Sequence, residues 1–241
     1  MSAAVLYGVG VGPGAPDLLT LRAAALLRDV PVVAAPRRAE GDGSLALRIA
    51  REAVGEVPGQ ETLLLTFPMS RDAEMRRAAR EAAAREVGAR LAAGRSVAFV
   101  TEGDPLVYST FLDLLAEARQ SFPHARVEVV PGVSSLTAVA AAALVPLADG
   151  DGRLAVVPAP TALRELGKLA REFETVLLLK AGGVLPELRE ALGREGLLGR
   201  AVLVSGATTG GELVTRDLES VAGRPGYFST VLLTRATGGH R

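Results

Sequence analysis

Short apolar runs recur along the chain, separated by longer stretches in which Ala and Leu are interleaved with Arg and Glu. From residue 4 to about 145 the runs at 4–10, 30–35, 62–67, 96–101 and 126–131 read as strands. The stretches at 20–28, 44–54, 71–93, 108–121 and 134–144 read as helices. Strands that alternate with helices in this way predict βα units around a mostly parallel sheet. The third helix carries Ser70 as its expected N-cap and Gly94 as its stop.

The segment PLADGDG at 146–152 concentrates Pro, Gly and Asp, and it is the expected linker between a first domain at 1–146 and a second at 147–241. Beyond it, strands are predicted at 153–158, 175–180, 200–205, 212–216 and 227–235, with helices at 161–173 and 186–194. The last three strands follow one another too closely for helical crossovers, so antiparallel pairing should enter the second sheet. The expected fold class is therefore α/β, with two α/β domains: the first has a mostly parallel sheet, the second a mixed one.

Composition narrows the chemistry. Of the 241 residues 49% are hydrophobic and 22% charged, which suits a chain that buries its own core. The absence of cysteine excludes disulfides, thiolate nucleophiles and Cys-ligated metals. Two histidines, His124 and His240, leave almost no material for a His-ligated metal or a Ser-His-Asp triad, so no metal site is expected. Basic and acidic residues balance at 27 each, which argues against nucleic acid or an anionic membrane as partner. No apolar run approaches the roughly 20 residues of a membrane span, and the start of the chain lacks a basic leader, so a cytoplasmic protein is expected.

Three loops stand out because they follow strands one, four and five of the first sheet, where open α/β sheets bind ligands. The first carries Gly8, Gly10, Gly12 and Gly14 in alternation. Gly10, Gly12 and Ala15 satisfy a loose dinucleotide fingerprint, but the context fails it. Pro13 and Pro16 remove two N–H donors from the loop, and the second strand ends Val33-Ala34-Ala35-Pro36 without a ribose-binding acid. The second loop, TEGDPLVYSTF, places Asp104 at the sheet edge, although Asp-Pro is also an ordinary turn. The third, VVPGVSSLTAV, offers Ser134 and Ser135, whose default role is to cap a helix.

Together LYGVGVGPGAPDLLTLRA, EGDPLVYSTF, VVPGVSSLTAVAA and PLADGDGRLAVVPA resemble the tetrapyrrole methylase family over nearly the whole chain. GDP-x-V-Y-S-T and PLADGDGRLAVVPA are most similar to its branch acting at C-20 of precorrin-2 or cobalt-factor-II; siroheme and diphthine synthases are the alternatives. The resemblance implies two α/β domains with a ligand cleft between them, S-adenosylmethionine as cofactor, a tetrapyrrole substrate and a homodimer. Carried over by motif, the cofactor contacts would be Pro13, Glu102, Gly103, Asp104, Val107, Ser134, Ser135, Lys180 and Ala207. The chain departs from the family pattern where Ala15 replaces the acid of a GPGD loop, with Asp17 the next acid, and where Ala207 replaces a frequent Gly.

A methyl sulfonium is already activated, so such an enzyme would need alignment for in-line displacement rather than a metal or a covalent nucleophile. The proton lost from the methylated carbon must also be removed, by a carboxylate or by solvent, and Asp104 is the expected catalytic residue. Arg37, Arg38 and Arg153 fall near predicted loops and could pair with substrate carboxylates, as could any surface Arg. Tyr108 reads equally as a core aromatic or as a substrate contact.

Overall fold

The computed structural model describes residues 4–70 and 72–235, and the chain divides between Ser134 and Ser135 into two compact units. The first holds β1 (Val5–Gly10), α1 (Leu21–Asp29), β2 (Val32–Arg37), α2 (Leu45–Val54), β3 (Glu61–Thr66), α3 (Ala73–Ala92), β4 (Val97–Thr101), α4 (Phe111–Ser121) and β5 (Arg126–Val130). Its five strands pair in the order β3-β2-β4-β1-β5, all parallel. Strand-helix alternation forces this outcome, because each crossover returns the chain to the same end of the sheet.

Helices cover both faces, so the inner strands are apolar at nearly every position rather than at every second one. On one face Val9, Val33, Ala98 and Val100 pack with Leu27 of α1 and Ile49 of α2. On the other, Leu6, Val32 and Phe99 pack with Val87 of α3 and with Phe111 and Leu114 of α4. Phe99 and Phe111 are fully buried, their ring centroids 6.0 Å apart. Truncating either to Ala would cost about 3–5 kcal/mol.

At the amino edge of this sheet Glu61 collects two guanidinium groups. Arg90, near the end of α3, donates Nε at 3.0 Å and Nη2 at 2.8 Å, and Arg95 donates from the turn before β4. The hydrogen bond from Arg90 is the leading cause that holds the Glu61 carboxyl below its ordinary value of 4.5, with Arg95 adding to it against partial burial.

The second unit holds α5 (Ser135–Ala143), β6 (Leu154–Pro158), α6 (Ala159–Ala162), α7 (Leu166–Glu172), β7 (Thr175–Leu179), α8 (Leu185–Arg194), β8 (Ala201–Ser205), β9 (Leu213–Thr215) and β10 (Ser229–Thr234). Its sheet runs β6-β7-β10-β8-β9. Strands β6 and β7 are parallel, whereas β10 is antiparallel to both its neighbours and β9 is antiparallel to β8. This is the mixed sheet that the crowding of the last strands predicts. One face carries Val176, Leu178, Leu203 and Val231 against Leu166, Leu188 and Leu192 of α7 and α8. The other carries Leu177, Val202, Val204 and Leu232 against Ala138 and Val139 of α5.

That last contact explains why the packing division falls at 134/135 and not at the expected 146. Helix α5 follows a first-sheet strand but covers the second sheet. PLADGDG is a turn within the second unit, closed by Gly152 N–H to the Asp149 carbonyl at 2.9 Å. Two local expectations also change. The N-cap of α3 is Asp72, whose Oδ1 accepts from Glu74 and Met75 at 2.8 and 3.3 Å, while Ser70 Oγ accepts from the Asp72 N–H instead. Arg71, where that helix was expected to begin, lies outside the described residues. The single helix expected at 161–173 is two, because Glu165 leaves helical geometry at φ −133°.

Candidate active site

Parallel strands bring their carboxyl ends to one edge, and there three loops of the first unit meet backbone to backbone. Val11 N–H donates to the Thr101 carbonyl at 3.0 Å, and Gly103 N–H donates to the Gly12 carbonyl at 2.7 Å, tying the β1 loop to the β4 loop. A Cβ on Gly10 would stand 2.5 Å from the Gly103 oxygen and 2.6 Å from the Gly132 nitrogen. A Cβ on Gly132 would stand 2.2 Å from the same Gly103 oxygen. These approaches are possible only without side chains. Gly8 is needed for a different neighbour, since its Cβ would lie 2.4 Å from Cε1 of Phe111. The glycine alternation in β1 thus serves the protein's own packing, which lets the loops gather.

Asp104 is bound into this junction. Its Oδ1 accepts from Leu106 N–H at 2.9 Å, closing the turn over Pro105, and its Oδ2 accepts from Gly132 N–H at 3.1 Å, joining the β4 loop to the β5 loop. A carboxylate offers roughly four lone-pair sites, so acceptor capacity remains. The geometry alters what a substitution tests. Asn keeps the turn but sets an NH2 against one of the two N–H donors, so Asp104→Asn is not a change of charge alone. The rest of the loop is held by Ser109, whose Oγ donates to buried Thr101 Oγ1 at 3.0 Å and accepts from Phe111 N–H at 3.0 Å.

The other residues predicted after β1, β4 and β5 lie along the same loops, Ser135 being the first residue of the second unit. Pro13 follows Gly12 and is half-buried, as are Glu102 between Thr101 and Gly103 and Val107, whose N–H bonds to the Asp104 carbonyl at 3.2 Å. Ser134 and Ser135 stand where the β5 loop enters α5, Ser135 exposed.

In the second unit Lys180 directly follows β7 and Ala207 follows β8. Strands β6, β7 and β8 share one direction, so both residues lie at the same edge of that sheet. Lys180 is exposed, whereas Ala207 is buried between Gly206 at φ +61° and Thr208 at φ +65°. Ser229, at the start of β10, completes the edge by donating its hydroxyl to the Gly226 carbonyl at 2.6 Å and sharing a hydrogen bond with Ser205 at 2.9 Å. Arg153 lies at the opposite, amino edge, its guanidinium 5.5 Å from the Phe173 ring centroid. Its backbone N–H donates to Glu174 at 2.6 Å, the leading cause of that carboxyl's lowered pKa.

One feature of the loops was not readable beforehand. Among the described residues, positive φ in a non-glycine occurs at Tyr108 (51°), Leu144 (51°), Lys180 (58°) and Thr208 (65°). Three of these four lie on the loops that carry the candidate residues. A left-handed backbone costs such side chains roughly 1–3 kcal/mol each, and strain of this kind concentrates at functional sites. Nothing in the residue types signals it, since Tyr, Lys and Thr rarely adopt this conformation. Leu144 has a local reason: it ends α5, with Val145 N–H reaching back to the Ala140 carbonyl at 3.0 Å.

Glycine-lined loops gathered at the carboxyl edge of a parallel sheet stand where open α/β proteins bind small molecules. The model of the tetrapyrrole (corrin/porphyrin) methylases matches residues 5–222, and the chain belongs to that family. It is 38% identical over 232 residues to the cobalt-precorrin-2 C(20)-methyltransferase of Salmonella typhimurium, covering 95% of this chain and 96% of that one. It is 34% identical over 239 residues to the precorrin-2 C(20)-methyltransferase of a Sinorhizobium species, covering 95% and 94%. A solved cobalt precorrin-4 methyltransferase of cobalamin biosynthesis shares the fold, with a TM-score of 0.72 at 23% identity over 95% of this chain and 94% of that one.

Proposed function

We infer that this chain transfers a methyl group from S-adenosylmethionine to C-20 of precorrin-2, or of its cobalt form, in cobalamin biosynthesis. The observation that carries the reading is the 38% identity that extends over 95% of this chain and 96% of a relative bearing that activity in its name.

The chemistry of the loops fits such a cofactor. Pro13 and Pro16 withhold N–H donors from the first loop, which makes it a poor pyrophosphate cradle. Glu102 and Asp104 bring carboxylates to the sheet edge, and these favour a cationic sulfonium over a polyphosphate. Pro13, Glu102, Gly103, Asp104, Val107, Ser134 and Ser135 would hold the cofactor, with Lys180 and Ala207 contributing from the second unit. When bound, S-adenosylmethionine supplies an activated methyl group. The chain's own work is then to orient the two reactants, a contribution that reaches about 7–11 kcal/mol in well-aligned systems, and to keep water out. Asp104 keeps the β4 and β5 loops in place and, through its remaining lone pairs, accepts the proton released from the methylated carbon. The resemblance further implies a homodimer acting in the cytoplasm, and sedimentation over a wide concentration range checks the dimer.

The deciding assay supplies labelled S-adenosylmethionine with precorrin-2, with and without cobalt, and locates the label by NMR of the product. Label on C-20 is the expected result. Label on another carbon, or transfer only to uroporphyrinogen or to a diphthamide precursor, would move the chain to a different branch of the family.

A further inference from the structure

Arg37 ends β2 at the carboxyl edge of the parallel sheet, and β2 lies directly beside β4, whose loop carries Glu102, Gly103 and Asp104. Its backbone is fixed by pairing with Thr66 and by a 2.8 Å hydrogen bond from Phe67 N–H to its carbonyl. Its side chain is fixed as well: Nε donates to Thr66 Oγ1 at 3.0 Å, and only 20% of the side chain is exposed. Beyond that anchor the guanidinium meets one acid among the described residues, Glu40, at 4.0 Å, and the Glu40 side chain is 92% exposed. An ion pair of that length to a solvated side chain is worth little. Arg90, of similar exposure, instead has its guanidinium shared between Glu61 and Glu86. Among the described residues, then, the Nη1 and Nη2 face of this oriented, partly desolvated fork has no acid nearer than the Glu40 carboxylate at 4.0 Å. That is the geometry in which Arg pairs with a carboxylate bidentately.

We propose that Arg37, oriented by Thr66, is a specificity residue that grips a carboxylate side chain of the tetrapyrrole substrate beside the cofactor loops. The proposal rests on the methyltransferase reading above, since that reading supplies a substrate with acidic side chains.

The test measures steady-state methylation of precorrin-2 at saturating S-adenosylmethionine, together with calorimetric affinity for S-adenosylhomocysteine. Arg37→Met keeps the apolar stem and removes the fork. KM for precorrin-2 should rise roughly ten- to hundredfold, the worth of a hydrogen-bonded charge pair, while S-adenosylhomocysteine affinity stays at the wild-type value. Arg37→Lys, a point charge without a fork, should restore only part of the loss. Thr66→Val, which leaves the charge but removes the anchor, should raise KM by roughly two- to tenfold, and it carries the test alone if Arg37→Met does not fold. An unchanged KM in a folded Arg37→Met or Thr66→Val protein overturns the proposal, as does a KM increase matched by an equal loss of S-adenosylhomocysteine affinity. Failure of the wild type to methylate precorrin-2 is a separate outcome, which removes the functional reading itself.

Discussion

The candidate edges of the two sheets differ most at Gly10 in the first and Thr208 in the second. In the first unit the loops meet because side chains are missing: Gly10, Gly103 and Gly132 bring three backbones to within van der Waals contact, and Asp104 ties two of them together. In the second unit the loops after β7 and β8 turn through left-handed backbone that Lys180 and Thr208 adopt despite their side chains. At Gly10 and Gly132 there is no space for an added atom. At Lys180 and Thr208 there is backbone strain that glycine would relieve. Adding a Cβ at Gly10 and removing one at Thr208 should therefore have opposite consequences.

The largest effect is expected from Gly10→Ala. The new Cβ meets carbonyl oxygen and amide nitrogen rather than a movable side chain, so the loops must separate. A loss of at least about 2 kcal/mol in unfolding free energy should accompany the loss of calorimetric S-adenosylhomocysteine binding. If the variant is as stable as wild type and binds normally, the backbone junction does not organise the site.

Asp104→Asn comes next. Removing one of two charge-assisted hydrogen bonds should cost about 1–3 kcal/mol in denaturant unfolding. Single-turnover methyl transfer should fall by at least about two orders of magnitude if the carboxylate accepts the proton. A protein destabilised by that amount but transferring methyl at full speed would leave Asp104 as a loop tie only.

Glu61, at the amino edge of the same sheet, separates general stability from the site. Its carboxyl titrates below 4.5 when folded, so its contribution is full above the unfolded-state value and is lost as pH falls through the lower folded-state value. The stability difference between wild type and Glu61→Gln, no more than about 1 kcal/mol for a partly exposed network, should be greatest near neutral pH and shrink below pH 4.5. S-adenosylhomocysteine affinity should be unchanged; a loss would show that the two edges are coupled.

The smallest effect is expected from Thr208→Gly. Relief of left-handed strain, about 1–2 kcal/mol, is offset by the roughly 0.5–1 kcal/mol that glycine adds to the disorder of the unfolded chain. Thermal unfolding should show a net change within about 1 kcal/mol. A clear destabilisation would mean that the Thr208 side chain, and not its backbone, holds the loop, and the contrast between the two edges would weaken.

Strand and helix positions were legible because periodicity and burial act locally. The runs of β4 and β7, apolar but for one Thr each, read as strands, and the alternation of strands with helices in the first unit pointed to a mostly parallel sheet. The place of α5 was not legible. Its Ala-rich sequence fits either sheet, and the choice was made by a contact with β8 that lies far along the chain.

The same division holds for the site. Strand prediction placed Asp104 at a sheet edge, because a loop after a buried strand must emerge there, whereas Pro13, Glu102, Lys180 and Ala207 were named through the family resemblance. What holds those residues depends on atoms distant in sequence: Gly132 N–H on Asp104, Thr66 Oγ1 on Arg37, and the chain path that turns Tyr108, Lys180 and Thr208 left-handed. Local preference opposes that backbone at all three, so only tertiary packing could impose it. The sequence by itself determined which elements form and which side chains reach the edge; the tertiary structure decided which of those groups are bound closely to the protein and which, like the fork of Arg37, are anchored at one nitrogen and meet, among the described residues, only a distant and solvated acid.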